Sequence, residues 1–566
     1  MSSRGQHFSD EGEVGARAPR TEAPPLITPL AAAEGGRSQR FAATFACWWL
    51  LFSALGVLWA LATPIGASPD SPSQVARAAS VVRGQWVGPA VPGPTSNVST
   101  SVRVPQTYAF SGAIVHCYMF KENVSAACAS LPEQSSRTVM ATTHVGRYLP
   151  AYYLAVGWPS LITTSVTGVY LMQAASAVLC AMFLALAVAT ARQWSRSALL
   201  VPAISVAVTP MALFLNSSVN PSGLEVATAA TAWTAATVLA ADHLESPPAA
   251  LVAVLGISMG AMVWTRPTAL VWPLVIAGVL APAVWGRARA GGQVRPEERV
   301  RPRRRLLHWG RLGHWVRRRA STVVWTGVLV VAAAGALAWV VLARATSVLP
   351  NFTPLPASSS FGHIVAFIIG HFPSLLAQGV GNFGWLDTPV PSFVLAVWAV
   401  LCAGLVALAI MRGSKTTLSS LALALLASFL VPLASLVAVA HSDGYAGQGR
   451  YFLAIWEDVP IVAAGLLGVT VGRASHRWAP PASIGVRLLV SIAQGVAFYW
   501  ALRRYIVGIP GPLLWSGSRS SGKLQWHPPV PGWWLLGIFV ALCAVYGMAI
   551  SRASLRKHES PLVITG

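Results

Sequence analysis

Charge is what this sequence has least of. Asp and Glu together number 18 in 566 residues, Lys only 4, and charged residues of both signs make up 10%, where a soluble domain carries about a quarter. So few charges cannot coat a globule of this size, which excludes a soluble enzyme. The 54% share of hydrophobic residues excludes a disordered scaffold. Cysteine is scarce as well. Four of the six, Cys47, Cys180, Cys402 and Cys543, lie inside apolar stretches, which excludes a disulfide-rich secreted module.

Long apolar runs are what the chain does have. A helix crossing a bilayer needs about 20 mostly apolar residues, and windows of that kind lie at 41–63, 167–191, 197–219, 221–241, 246–265, 267–286, 320–343, 388–411, 416–442, 451–472, 482–502 and 531–550. The expected fold is an all-α integral membrane protein of about twelve transmembrane helices. The net charge of +22 is then a matter of position. With the N-terminus inside, 27 of the 40 basic residues fall on the inner side, as the positive-inside rule requires. The densest stretch is 287–319, around Arg301-Pro302-Arg303-Arg304-Arg305. The charge therefore reads as topology, with the lipid bilayer as partner and no nucleic acid.

Residues 1–40, rich in Gly, Pro and Ala, read as a disordered cytoplasmic tail, and 551–566 as a second tail on the same side. Between them, 41–550 forms the polytopic domain. Three segments face outward: 64–166, 344–390 and 503–530. Their Trp, Tyr and aliphatic content argues for order, and long ordered loops tend to be functional.

In the first loop, Ser68-Pro69-Asp70-Ser71-Pro72 precedes a stretch in which Val75, Ala79, Val82 and Trp86 fall on one face with Arg77 and Arg83 off it. That spacing predicts an amphipathic helix lying on the membrane surface. Asp70 then reads most plainly as its N-cap, and alternatively as a general base at the membrane surface. Cys117 and Cys128, eleven residues apart in the same loop, are expected to form a disulfide in an oxidising compartment. No CxxC or HxxxH spacing accompanies them, so no metal site is expected. Arg147, Tyr152 and Tyr153 in His144–Pro159 suit an interfacial aromatic belt and equally a lipid phosphate and a sugar.

Eight acids lie near the outer face: Asp70, Glu122, Glu133, Glu225, Asp387, Asp443, Glu457 and Asp458. Glu225 follows Asn220-Pro221 in the first turn of a span, where the helix dipole favours a carboxylate. Asp387, after Trp385, is placed to cap a span. Glu457 and Asp458 sit deeper, where ionisable groups face a bundle interior or a wet cavity. Of the outer cations Arg266, Arg344, Arg503, Arg504 and Arg450, the last stands out in Gln448-Gly449-Arg450-Tyr451. Guanidinium binds phosphate in two-pronged fashion, glycine allows close approach, and Tyr451 offers a face to a sugar ring.

Taken in order, Pro69-Asp70, His144–Pro159, Asn220–Glu225, Gly384–Pro389, Gln448–Tyr451 and Trp526-His527-Pro528-Pro529 resemble the bacterial polytopic family known as domain of unknown function 2142. That family is distantly similar to the GT-C membrane glycosyltransferases. The resemblance covers about residues 45–550. It implies a bacterial plasma-membrane protein with cytoplasmic termini, a sugar donor on polyprenyl phosphate, no certain cofactor, and transfer to a cell-envelope glycan on the outer face. Asp70 matches the catalytic acid. Arg147, Tyr152, Tyr153, Asn220, Glu225, Arg266, Trp385, Asp387, Gln448, Arg450 and Tyr451 become substrate-binding candidates. One departure is plain: where the family pattern sets Glu and then His after the acid, Ser71 and Gln74 stand here. The competing classes are a flippase for a lipid-linked glycan, to which Glu457-Asp458 would belong, and a non-catalytic envelope-assembly protein.

Overall fold

The computed structural model describes residues 28–92, 98–241, 247–292, 309–347, 355–356, 358–445, 447–467, 475–515 and 525–555. It is helical almost throughout. The first helix, α1 (Thr28–Leu61), begins inside the expected tail, so 28–40 is helical; 1–27 lies outside the described residues. The first loop follows, with α2 (Ser71–Val81), the strands β1 (Ala90–Pro92), β2 (Val98–Pro105) and β3 (Thr138–Thr143), and the short helices α3 (Ala151–Gly157) and α4 (Pro159–Ile162). The three strands form an antiparallel sheet in the order β1-β2-β3, with Thr100 opposite Thr143. Cys117 and Cys128 are disulfide-bonded in the excursion between β2 and β3.

The bundle continues with α5 (Val166–Trp194), α6 (Leu200–Ala207), α7 (Pro210–Asn216), α8 (Pro221–Ala241), α9 (Ala249–Val263), α10 (Trp272–Gly292), α11 (Trp309–Leu342) and α12 (Phe361–Gly381). A two-stranded hairpin, β4 (Asn382–Phe383) with β5 (Thr388–Pro389), leads to α13 (Ser392–Arg412) and α14 (Lys415–Asp443). Then come α15 (Leu453–Trp456), α16 (Asp458–Leu467), α17 (Ser475–Val507) and α18 (Gly532–Leu555). Among the described residues, ten helices are long and apolar enough to cross a membrane.

Three expected spans are not single long helices. The 197–219 window breaks between α6 and α7, where Pro210 lacks an amide hydrogen and Thr209 caps the new start by accepting from the Ala212 amide. The 246–265 window yields α9, only 15 residues long. The 451–472 window is a 3-10 turn, Gly449–Phe452, followed by α15 and α16, with 468–472 outside the described residues. The α6–α7 and α15–α16 pieces are buried inside the bundle, where irregular backbone is tolerated because protein rather than lipid surrounds it, whereas α9 leaves Ile257 exposed. The chain still passes from face to face through each of them. α8 leaves the Asp70 face at Pro221 and α9 returns to it at Arg266, which meets Ser222.

The segment 344–390, expected as loop, contains α12, which is apolar enough to span. Yet both its flanks are held on the Asp70 face: Ser347 bonds Arg147, and Trp385 bonds Gly66. Ile364 and Ile368, in its first turns, pack on Ala440 near the end of α14. α12 therefore dips into the bundle and stays on one side. The basic loop expected at 287–319 begins and ends as helix, in α10 and α11, and its middle, 293–308, lies outside the described residues, as do 516–524 of the third loop and 556–566.

Two packing features position the site. Trp59, eleven residues before Asp70, is ringed by Phe214, Phe383, Phe498 and Phe539 and so ties α1 to α7, β4, α17 and α18. At the centre runs α8, rich in Ala and Thr. Thr228, Thr231 and Thr234 return their hydroxyls to carbonyls one turn back, leaving Thr237 as the one threonine of the helix whose hydroxyl is buried without a partner, and the small side chains allow close helix approach.

Candidate functional site

The expected surface helix is instead a buried one. α2 ends at Val81, leaving Trp86 outside it, and Val75, Ala76, Arg77, Ala78, Ala79 and Ser80 are all buried. Arg77 is not on a wet face: it donates to the carbonyls of Gln85, Trp86 and Tyr148, closing the loop over α2. Asp70 stands at the N-cap position with φ 59° and ψ 8°, and its side chain makes no cap bond. A capping residue needs extended backbone to aim its oxygen at the next amides; left-handed backbone, which Asp tolerates better than most residues, aims it elsewhere.

Its direction is set by two remote residues. Arg450 Nη2 donates to Asp70 Oδ2 at 2.8 Å, and His144 Nε2 stands 3.8 Å from Oδ1. His144 in turn shares a 3.0 Å hydrogen bond between Nδ1 and the Ser73 hydroxyl. The carboxylate is 26% exposed while the Arg450 side chain is only 2% exposed: the acid faces out and the cation backs it. Arg450 Nη2 also contacts the Tyr451 hydroxyl at 3.2 Å, and its Nε and Nη1 are buried without a hydrogen-bond partner. That unused capacity lies directly behind the carboxylate.

A second guanidinium completes the hollow. Arg266 and Arg450 both lie over the Tyr451 ring, 4.9 and 5.1 Å from its centroid. Arg266 is held by Glu225 at 3.6 Å and by the Ser222 hydroxyl at 3.1 Å, and Trp272 fixes Glu225 with a 2.6 Å bond. Burial pushes the Tyr148 phenol above its ordinary range, with Arg266 pulling the other way, so Tyr148 stays a neutral hydroxyl. Burial also holds the His144 imidazole below the ordinary 6.5; Asp70 opposes that shift and Arg450 adds to it. Neutral His144 thus persists into mildly acidic solution. Such a group contributes stability that is full above pH 6.5 and falls as pH drops through its lowered folded value, because the unfolded chain then binds more protons.

The contacts come from five parts of the chain: the start of α2, the turn after β3, the start of α8, the turn between α9 and α10 with the first residue of α10, and the turn before α15. A sequence model of the family described as predicted membrane protein (DUF2142) matches residues 52–457. This chain is a DUF2142 protein. No curated protein and no solved structure matches it. The matched DUF2142 span contains every residue of the hollow and ends at Glu457.

Other candidates of this DUF2142 chain lie elsewhere. Arg147 turns away to Ser347 and to the Gly88 carbonyl. Tyr152 supports Asn220 from below, its hydroxyl accepting from the Asn220 amide and meeting Ser176; the Asn220 side chain reaches the Pro69 carbonyl at 3.4 Å. Tyr153 donates to Gln74 at 2.6 Å, so the Gln74 side chain braces α3, while its backbone amide donates to the Asp70 carbonyl at 3.0 Å. Gln448 Oε1 is buried without a partner. Trp385 and Asp387 belong to a separate structural pin described in the Discussion. Deeper, Asp458 accepts from Ser428, and Glu457 is buried with neither carboxylate oxygen bonded. Among the described residues no group of His, Cys, Asp and Glu is arranged to hold a metal.

Ser73 and Trp272 carried no sequence signal, and His144, Tyr148 and Ser222 were marked only as members of the His144–Pro159 and Asn220–Glu225 segments. His144 lies 71 residues from Ser73, and nothing local marks that pairing. Gly449, in contrast, is required by approach: a Cβ there would run into the Leu375 carbonyl of α12, while its amide donates to Gln378 at 2.9 Å. Gly449→Ala is expected to cost about 1–3 kcal/mol by overpacking and to shift Arg450, read as a lower melting temperature with weakened Asp70–Arg450 coupling.

Proposed function

We propose that the chain is a glycosyltransferase that moves a sugar from a polyprenyl-phosphate donor to a hydroxyl of a cell-envelope acceptor on the face carrying Asp70. The single observation that carries the reading is the part-exposed Asp70 carboxylate backed by the buried Arg450 guanidinium, with Arg266 beside them over Tyr451. A new glycosidic bond needs a base for the acceptor hydroxyl proton; Asp70 is that base, contributing ~10²–10⁴-fold. As the bond to the donor breaks, its phosphate gains negative charge, which fixed cations stabilise more in the transition state than before it. Arg450 and Arg266 are those cations. The orientation follows the basic residues, with this face outside a bacterial plasma membrane and both termini inside.

His144 takes the place beside the acid that Ser71 and Gln74 leave without an imidazole, and relays the proton toward Ser73. In this role it must be neutral. Transfer is expected to hold steady from pH 7.5 through 6.5 into mildly acidic solution and to decline only as pH falls through the lowered His144 value, and His144→Gln should alter this acid limb; an unchanged limb removes the histidine from the reaction.

The unbonded Glu457 carboxylate beside Asp458, deep among α14, α15 and α16, favours a second reading, a flippase for the same lipid-linked sugar. One assay separates the readings. Purified protein in liposomes is given radiolabelled polyprenyl-phosphate sugar and cell-envelope glycan. Label on the glycan supports transfer, label crossing the bilayer without transfer supports the flippase, and neither leaves an assembly role.

A further inference from the structure

Beside the Asp70 hollow, α12 and the turn after α14 enclose a cavity of about 190 Å³. Ligand pockets for drug-sized molecules run ~300–1,000 Å³, so this one suits a single ring and not a polyprenyl tail. Its wall is a stack of three rings. Tyr445 lies 3.7 Å from Phe367 and His371 lies 3.9 Å from it, each tilted by 23°. Two rings that close to one must occupy its opposite faces, so Tyr445 and His371 each keep one face free of Phe367.

Along α12, Phe367, His371, Ser374 and Gln378 follow spacings of 4, 3 and 4 and form one stripe. The neighbouring stripes are apolar: Ile364, Ile368 and Leu375 are buried, and Ile369 and Leu376 are exposed. A helix facing only hydrocarbon gains nothing from a His-Ser-Gln stripe, whose unmet hydrogen bonds would be costly there. His371 Nδ1 meets the Phe367 carbonyl and Gln378 Oε1 accepts from Gly449. No hydrogen bond among the described residues uses His371 Nε2, the Ser374 hydroxyl or the Gln378 amide nitrogen. The stripe ends at Gly449, next to Arg450.

We infer that this groove is a saccharide site, one pyranose ring lying on the face of His371 turned away from Phe367, with its hydroxyls bonded by Ser374 and Gln378. The ring belongs to the acceptor, whose next hydroxyl would reach Asp70. That assignment rests on the proposed transfer reaction, whereas the binding itself does not.

The test is saturation-transfer NMR on the full chain in nanodiscs prepared without any alkyl-glycoside detergent. The probes are methyl α-mannopyranoside, methyl β-glucopyranoside and methyl β-galactopyranoside. Saturation should reach the ring protons of at least one glycoside. His371→Ala should weaken that binding roughly tenfold, the scale of one lost ring contact. Ser374→Phe should abolish it by filling the groove, and Asp70→Asn should leave it unchanged. Binding that survives both groove substitutions, or no saturation of any of the three, overturns the site; displacement of the glycoside by phospholipid acyl chains overturns it in favour of a lipid groove. Glycoside binding in a chain that transfers no sugar would keep the groove and remove the proposed chemistry.

Discussion

Asp70→Asn is expected to lower sugar transfer by about 10²–10⁴-fold while the protein stays folded and inserted in the membrane. The amide keeps the volume and an oxygen that Arg450 can bond, but it cannot accept the acceptor's proton. Folding should tolerate the change, because the carboxylate is part-exposed and the amide oxygen still accepts from the guanidinium. The side chain caps nothing, so α2 keeps its start. Initial rates with the labelled donor, read beside a melting curve, check the expectation; full activity in the variant would show that the carboxylate is not the base.

Asp387→Asn is expected to do the reverse, costing roughly 3–5 kcal/mol of stability, the scale for removing one partner of a buried ion pair. Asp387 pairs with Arg504 at 3.1 Å, and Arg504 is fully buried. The same guanidinium donates to the carbonyls of Tyr118, Lys121 and Val124 and to the Thr388 hydroxyl, while Asp387 accepts from the Phe120 amide. One ion pair thus pins the disulfide-bonded excursion of the first loop, the β4–β5 hairpin and the end of α17. Trp385 adds a bond to Gly66, four residues from Asp70. These two residues hold the site's surroundings in place. The melting temperature should fall by several degrees, and limited proteolysis should open the first loop; a melting curve like that of the unaltered chain would return Asp387 to the list of ligand candidates.

The bundle was legible because the bilayer leaves so few solutions. An apolar window of 20 residues has to be a helix, and the basic residues choose its direction. The errors share one cause. Hydropathy reports what a segment can do in lipid and says nothing of whether protein surrounds it. Segment 197–219 therefore passed for one unbroken helix although the chain breaks at Pro210, and α12 was missed because His363, His371 and Gln378 dilute a run whose remaining residues are strongly apolar.

The site divides the same way. Asp70 and Arg450 were found because their residue types, with glycine and tyrosine close by, are those a sugar phosphate needs. Arg266, found from its place near the outer face, gained its partners only in three dimensions, through Glu225, Ser222 and Trp272. His144 could be assigned only once β3 had delivered it to the mouth of α2. The left-handed backbone at Asp70 decided against the cap, and no spacing rule foretells it.

The central claim is that Asp70 and Arg450, 380 residues apart, act as one unit on the sugar and its phosphate. A double-mutant cycle on the transfer rate tests it, with Asp70→Asn, Arg450→Lys and the two combined. Groups that act together give losses far from additive, so the double variant should be hardly slower than Asp70→Asn alone. Rate losses that simply multiply, with each residue contributing independently, would contradict the account.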